Sequence, residues 1–301
     1  METPFVVGAY AALPAERPAQ EDFYTALAET GWINGIEIPF PGVFPADTHW
    51  LADQLKGRFN HSVITAIPGT MGRINADKRF GLASPDSDGR ADALKFTREV
   101  LETIDSLHQY AGEQLVTGVE IHSAPSVDAD KEAFARSLQE LSNLFSEAKL
   151  DLIVEHCDAY NPAVPGEKRF LTVSDEIWAA RDSLARITVN WGRSVVETHD
   201  ANAPATHLQQ LVEADLLAGL MFSGAGADAT QYGPVWGDAH LPLNTDEPTS
   251  WMTSELVAQC MEVAGGRQTY HGIKIQTPKT ASIAQRLEML TNIRVAMGLE
   301  G

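Results

Sequence analysis

Short apolar runs alternate with amphipathic stretches along the whole chain. Helical spacing of apolar residues is clearest over residues 92–110, 131–149 and 282–297. Eight other runs are typical of strands buried on both faces of a parallel sheet, at residues 4–10, 35–39, 62–67, 118–123, 151–158, 187–194, 219–224 and 270–276. Eight strand–helix units predict an α/β fold, a (β/α)8 TIM barrel that forms a single domain over residues 1–301.

The segments that follow the predicted strands are longer than those that follow the helices. Residues 68–85, 160–172 and 223–248 are long and rich in Gly, Pro, Asn and Asp. In a barrel, the strand-to-helix loops build the C-terminal face, where active sites lie. Long loops in compact domains usually serve as lids or binding loops. The sequence therefore predicts a site on this rim.

Polar residues also interrupt the apolar runs, mostly near the ends of the strands. Side chains alternate between the two faces of a strand, so if Glu155 points inward, Ile153 and Cys157 do too, and His156 points toward the helices. The predicted inward polar residues are Glu37, Glu120, His122, Glu155, Asn190, Lys274 and Gln276. A barrel packed for stability alone would carry branched apolar residues there. We therefore place the centre of the site at Glu155; the alternative is a structural ion pair with Lys274.

Composition narrows the range of partners. The chain has 22 Lys and Arg against 41 Asp and Glu, a net charge of −19, so nucleic acid and anionic membrane surfaces would repel it. Its two cysteines, Cys157 and Cys260, fall on different predicted elements, which argues against a disulfide framework and favours a reducing compartment. The N-terminus lacks a basic leader, and no apolar run approaches the roughly 20 residues of a membrane span. We expect a cytoplasmic protein with no nucleic-acid or membrane partner.

A series of short motifs resembles one known superfamily. In chain order, GIEIP, SVITAI, GVEIHS, IVEHCD, VNWGRS, DAHLP and GIKIQ resemble the xylose isomerase-like TIM barrels over nearly the whole chain. That superfamily includes sugar isomerases, epimerases and dehydratases, and the abasic-site endonucleases. The resemblance implies a divalent metal (Mn, Mg, Co or Zn) held by a Glu, an Asp, a His and a Glu at the ends of strands five to eight.

Only part of that ligand set is present. Glu155 matches the strand-five Glu, whereas Asn190 replaces the strand-six Asp and Gln276 replaces the strand-eight Glu. Ser223 or Phe222 stands in place of the strand-seven His. Neutral amides bind a divalent ion far less well than carboxylates do.

Other residues offer substitutes for the missing ligands. His122 matches a histidine that ends strand four in many members, and Asp238 and His240 resemble an Asp-x-His pair found after strand seven. The metal is therefore absent, or moved toward Glu155, His122, Asp238 and His240, or replaced by a cationic side chain, for which Lys274 is the candidate.

The leading hypothesis is an isomerase or epimerase that transfers a proton next to the carbonyl of a sugar or keto-sugar. The predicted catalytic residues are Glu155, His122 and Lys274, and the predicted metal ligands are Glu155, Asp238 and His240. The predicted substrate-binding residues are Asn190, Arg193 and Gln276 with the aromatic residues Trp191, Tyr232 and Trp236. On this hypothesis, Glu155→Gln abolishes turnover and leaves thermal unfolding little changed.

Two alternatives stay open. One is a sugar-binding or scaffold barrel that has lost both metal and catalysis, and the other is a sugar lyase or dehydratase of the same fold. Assembly into a homo-oligomer is compatible with each of them. Cleavage of phosphodiesters is a poor match, because the chain shows neither a metal cluster nor a basic track for DNA.

Overall fold

A computed structural model describes residues 3–299, in which eight parallel strands close into a barrel. Each strand pairs with its neighbour in the chain, and the last strand returns to the first. The strands are β1 Phe5–Val7, β2 Gly35–Pro39, β3 Ser62–Thr65, β4 Val116–Ile121, β5 Asp151–His156, β6 Arg186–Asn190, β7 Leu217–Phe222 and β8 Tyr270–Ile273. The predicted TIM-barrel class is confirmed.

Helices connect the strands and surround the barrel. They are α1 Arg17–Glu29, α2 Val43–Ala46, α3 Thr48–Leu55, α4 Ile67–Ala76, α5 Ser87–Ala111, α6 Lys131–Ala148, α7 Val173–Ala180, α8 Trp191–Thr198, α9 Ala203–Glu213, α10 Ser254–Ala264 and α11 Ile283–Ala296. The three helices predicted from periodicity correspond to α5, α6 and α11. None of the helices in the described part of the chain is both long and apolar enough to cross a membrane.

Several predicted boundaries were wrong because a strand stops at the rim sooner than its apolar run does, and three of them show what replaces the strand. The run 4–10 becomes β1 followed by a short 3-10 helix, Ala9–Ala11. The run 187–194 leaves the sheet at Asn190, whose side-chain oxygen caps α8 by accepting from the Arg193 backbone N–H. The predicted loop 68–85 begins with α4.

The apolar core has two parts. The larger part lies between the barrel and the helices, and the smaller one fills the inside of the barrel with Val6, Val63, Ile153, Ala218, Met221 and Tyr270. Because side chains alternate along a strand, Glu155 lies one interior layer above Ile153, toward the C-terminal rim. We call the six residues of the smaller part the apolar plug; it lies directly beneath the polar residues of the barrel interior. Cys157 and Cys260 are both buried free thiols, as expected.

Candidate active site

Three carboxylates meet inside the barrel above the apolar plug. Glu37 lies in β2, Glu120 in β4 and Glu155 in β5, and each is at most 1% exposed. One oxygen from each side chain lies within 4.8 Å of the other two. Burying carboxylates costs free energy unless cations and hydrogen bonds compensate them. The rest of this layer supplies that compensation.

Two buried cations contact Glu155. Lys274, directly after β8, places its Nζ 2.7 Å from Glu37 Oε1 and 3.1 Å from Glu155 Oε1. Arg193, in the first turn of α8, places Nη1 2.5 Å from Glu155 Oε1. Burial alone would raise the pKa of Glu155, but Arg193 and Lys274 outweigh burial and hold this pKa well below its usual range. Glu155 is therefore ionised at neutral pH.

Gly8 makes room for the lysine. A Cβ atom at position 8 would lie 2.8 Å from Lys274 Cγ and 3.1 Å from Glu37 Oε2. Any larger residue at the end of β1 would push the ammonium away from both carboxylates.

The second oxygen of Glu155 is held by neutral groups. His122 Nε2 lies 3.0 Å from Glu155 Oε2, and the Thr65 hydroxyl donates to the same oxygen at 3.0 Å. Burial lowers the pKa of His122, so the ring is neutral and its Nε2–H donates to the carboxylate. His122 Nδ1 is buried and has no hydrogen-bond partner within residues 3–299. That nitrogen offers a free lone pair at the site.

Glu120 differs from the other two carboxylates. Burial, and then the charges of Glu155 and Glu37, raise its pKa well above the usual range, so it is protonated at neutral pH. Tyr270 donates to Glu120 Oε1 at 2.5 Å, and Thr188 lies 2.7 Å from the same phenol oxygen. Glu120 thus adds a neutral acid to the layer rather than a third negative charge.

Asp238 joins three segments above the carboxylates, and we call Asp238, Arg193 and Lys168 the rim latch. Asp238 Oδ2 lies 3.0 Å from Arg193 Nε and 2.8 Å from Lys168 Nζ. Burial would raise the pKa of Asp238, but Arg193 and Lys168 hold it well below its usual range. The latch connects α8 with the loops 160–172 and 223–248.

We expect Asp238→Asn to open the rim latch. The amide keeps the shape but removes one carboxylate from each cation, since Arg193 still contacts Glu155 and Lys168 still contacts Glu167. Breaking a buried pair costs up to about 3–5 kcal/mol. Denaturant unfolding of the variant and the wild type measures the loss. Asp246→Asn is the matched control, because its partner Asn292 is neutral and the pair is only partly buried. Equal stability of D238N and wild type would contradict the latch.

A histidine on the loop 223–248 lies against the end of β7. His240 Nδ1 lies 2.7 Å from the Ser223 hydroxyl and 3.2 Å from Asp238 Oδ1. Ser223 directly follows β7, so the position that lacks a strand histidine is contacted by one from the loop. Gln276 fixes the same loop by donating to the carbonyls of Tyr232 and Ala239 at 2.9 and 2.8 Å.

The predicted aromatic residues do not form one platform. Trp236 and Tyr232 are partly exposed on the rim loop, and Trp236 stacks on His199 with ring centroids 3.8 Å apart. Trp191 is fully buried in the apolar layer and contacts Cys260 of α10. Position 191 begins a helix rather than extending a strand, and substrate binding by Trp191 stays a prediction.

The remaining predicted residues form two groups: one contacts Glu155 directly or through Arg193, and the other binds backbone groups. Glu155, His122, Lys274 and Arg193 are in direct contact, and Asp238 and His240 join them through Arg193. Asn190 caps α8 with its oxygen, while its buried Nδ2 is unpartnered in the described chain. Gln276 is engaged by backbone carbonyls.

Three nearby residues were missed. Thr65 contacts Glu155 from the end of β3, a position that strand alternation could have suggested. Lys168 lies in an irregular loop, and no sequence pattern indicated that it belongs to the site. Tyr10 lies in the short 3-10 helix after β1. Burial of its phenol, and then the charges of Glu37 and Glu155, raise the pKa of that group.

The predicted metal ligands do not fit a divalent ion. The guanidinium of Arg193 lies between Glu155 and Asp238 and contacts an oxygen of each, so these carboxylates and His240 do not face one shared space. Lys274 already contacts both Glu37 and Glu155. A divalent ion there would add two positive charges beside two fixed cations. Side-chain cations supply the positive charge of this site.

Comparisons with known sequences identify the family of the chain. A family model described as a domain of unknown function, DUF4862, matches residues 6–289. A relative from Salmonella typhimurium strain LT2, described as uncharacterized protein STM3670, is 32% identical over 300 residues, which cover 96% of this chain and 94% of the relative.

Two solved structures have the same barrel. A D-psicose 3-epimerase solved in the presence of D-fructose is 12% identical, with a TM-score of 0.61 over 99% of this chain and 100% of that one. A xylose isomerase domain containing protein from Salmonella typhimurium LT2 is 14% identical, with a TM-score of 0.61 over 99% of each chain. At these identities the likeness shows the fold alone, which is the TIM barrel.

Proposed function

Because the chain belongs to the DUF4862 family and has a xylose isomerase-like barrel, we propose that it is an isomerase or epimerase acting on a sugar or keto-sugar. This proposal rests on the residues that contact Glu155. Glu155 is an ionised carboxylate at the C-terminal end of a barrel strand, in contact with two cations and a neutral imidazole. Such groups suit the movement of a proton next to a carbonyl.

In the proposed reaction Glu155 is the base. It accepts a proton from the carbon beside the substrate carbonyl. In an isomerisation it returns this proton to the neighbouring carbon while another proton passes from the substrate hydroxyl to the carbonyl oxygen; in an epimerisation a proton is returned to the opposite face of the same carbon. Glu155 Oε2 is oriented by His122 and Thr65, each 3.0 Å away. Its Oε1 is contacted by Arg193 and Lys274 in the resting protein. A substrate oxygen that takes over these cations leaves Glu155 more basic.

Arg193 and Lys274 stabilise the negative charge that develops on the substrate oxygen. Their donors are fixed before substrate arrives, Arg193 by Asp238 and Lys274 by Glu37. Preorganised cations in a buried site stabilise an enolate more than the same groups would in water. In this proposal the two side chains do the work that a divalent ion does in metal-dependent enzymes.

Substrate reaches Glu155 only after the rim moves. The Glu155 side chain has no exposed surface, and the rim latch lies above it. Parting of Asp238 from Arg193 or Lys168 lets the loop 223–248 shift. Tyr232 and Trp236 on that loop then border the entrance, where flat rings suit the apolar faces of sugars.

The second candidate is a sugar-binding barrel without catalysis. It is favoured by the saturation of Glu155, whose two oxygens already contact Arg193, Lys274, His122 and Thr65. A structural network would show the same contacts. A sugar lyase would begin with the same proton abstraction and differ in its product.

A paired assay separates these functions. Calorimetric titration with a panel of ketoses and aldoses measures binding, and product analysis of the same mixtures by chromatography and NMR measures conversion. We expect an isomer or epimer to form, at a rate that added Mn²⁺, Mg²⁺ or Co²⁺ does not increase. Binding without any product supports the second candidate and refutes the first. A dehydrated product identifies a lyase.

A further inference from the structure

A second polar cluster lies on the other face of β5, between the barrel and the helices. His156 follows Glu155 in the strand and points toward the helices, as alternation predicts. It meets Glu176 of α7, Glu197 of α8 and His207 of α9. His156 and Glu176 are completely buried, while the side chains of Glu197 and His207 are 11% and 8% exposed. We call these four residues the outer cluster.

Three of its members place ligand atoms around one point. His156 Nε2 lies 3.0 Å from Glu197 Oε2, and His207 Nε2 lies 4.0 Å from Glu197 Oε1. One ligand atom from each of the three residues lies within 4.8 Å of the other two. Ligand atoms bound to a tetrahedral zinc ion at about 2.0–2.1 Å are roughly 3.3 Å apart, so the side chains would close in by about 1 Å on binding. The two rings are nearly perpendicular, with centroids 5.0 Å apart.

The outer nitrogens of both rings are already fixed. His156 Nδ1 lies 2.7 Å from Glu176 Oε2, and Glu176 Oε1 accepts from Ser123 at 2.6 Å. His207 Nδ1 lies 3.0 Å from the Ser194 hydroxyl. Metal-binding histidines are typically oriented in this way, with the second nitrogen bonded to a carboxylate or another polar group. Among the described residues, His207 Nε2 makes only the 4.0 Å approach to Glu197, which is too long for a hydrogen bond.

The charge of the outer cluster favours a divalent cation. Carboxylate oxygens of Glu176 and Glu197 face the two nitrogens of His156. Any proton on His156 Nε2 leaves to solvent when Zn²⁺ binds there. Two carboxylates and one Zn²⁺ then leave the buried cluster neutral, which costs less than a net negative charge.

We propose that the outer cluster is a zinc site formed by His156, Glu197 and His207. The exposed edge of Glu197 and His207 gives the ion a path from solvent and leaves room for water as the fourth ligand. The site would tie β5 to α8 and α9. Because Glu155 precedes His156 and Arg193 lies one turn before Glu197, the ion would brace the elements that carry the central ion pair.

Zinc titration of the metal-stripped, full-length protein in competition with a chromophoric chelator tests this site. We expect one Zn²⁺ per chain. Ser194→Ala, which keeps all three ligands, should weaken binding about 10- to 100-fold by freeing the His207 ring. His207→Gln should weaken binding more. His240→Gln is the matched control, since it removes the rim histidine, and it should bind zinc like the wild type.

Three outcomes would overturn the site. They are a wild-type protein that binds no zinc, a loss of binding in H240Q, and unchanged binding in both S194A and H207Q. If H207Q does not fold, unchanged zinc binding in S194A alone overturns the site. None of these outcomes depends on turnover, so the zinc site and the proposed isomerase can fail independently.

Discussion

Glu155→Gln will abolish measurable turnover and will also lower the free energy of unfolding. The amide keeps the shape of the side chain but cannot accept a proton, and a positioned base contributes about 10²–10⁴-fold to such reactions. Steady-state assays on the sugar converted by the wild type measure this loss. Activity that persists in E155Q at the wild-type rate would remove Glu155 from the mechanism.

The loss of stability follows from the two cations that contact Glu155. From the sequence alone, E155Q is expected to unfold like the wild type. In the structure, however, Arg193 and Lys274 both contact Glu155 Oε1. Removing one partner from a buried ion pair costs about 3–5 kcal/mol. Denaturant unfolding measures the difference.

Glu120→Gln is the matched control for E155Q. Glu120 is equally buried but is neutral at neutral pH, so an amide replaces one neutral group with another. Tyr270 can still donate to the amide oxygen. We expect E120Q to lose no more than about 1 kcal/mol, the net worth of an ordinary hydrogen bond. Equal destabilisation of E120Q and E155Q would show that burial, rather than the ion pairs, sets the cost.

Lys274→Met will have the second large effect. It leaves Glu37 and Glu155 facing each other without the ammonium that lies 2.7 and 3.1 Å from them. We expect a loss of about 3–5 kcal/mol in stability, together with loss of turnover, because one of the two groups that stabilise the enolate is gone.

A double variant separates charge from packing in this result. In K274M/E37Q one negative charge is removed together with the lysine, while Arg193 still neutralises Glu155. The double variant should therefore be less destabilised than the two single losses added together, a non-additivity typical of residues in contact. Strict additivity would contradict direct coupling between Lys274 and Glu37.

Much of the fold and the inner part of the site could be predicted from the sequence. Strand alternation placed Glu155 inside the barrel and His156 outside, because the period of a strand is a local property. The pairing of Glu155 with Lys274 was an explicit alternative, and the structure contains that pair. The ion pair does not exclude a function, because the same contact places Lys274 beside Glu155 in the proposed mechanism.

The rest depended on contacts that no local pattern reports. Asp238 reaches Arg193 across 45 residues and Lys168 across 70, through loops whose paths alternation does not define. His207 faces Glu197 only because α8 and α9 pack together. The helical position of Trp191, by contrast, has a local signal, since Asn190 is a preferred N-cap residue and marks where the strand ends and a helix begins.

Hydrogen exchange at carbon tests the central claim most directly. The wild type, E155Q and E120Q are each incubated with ketoses in D₂O, and the proton beside the carbonyl is followed by NMR. We expect the wild type to replace this proton with deuterium in at least one sugar, E155Q not to do so, and E120Q still to do so. Sugars that bind to the wild type but keep their proton, or exchange at the same rate with E155Q, would contradict this expectation.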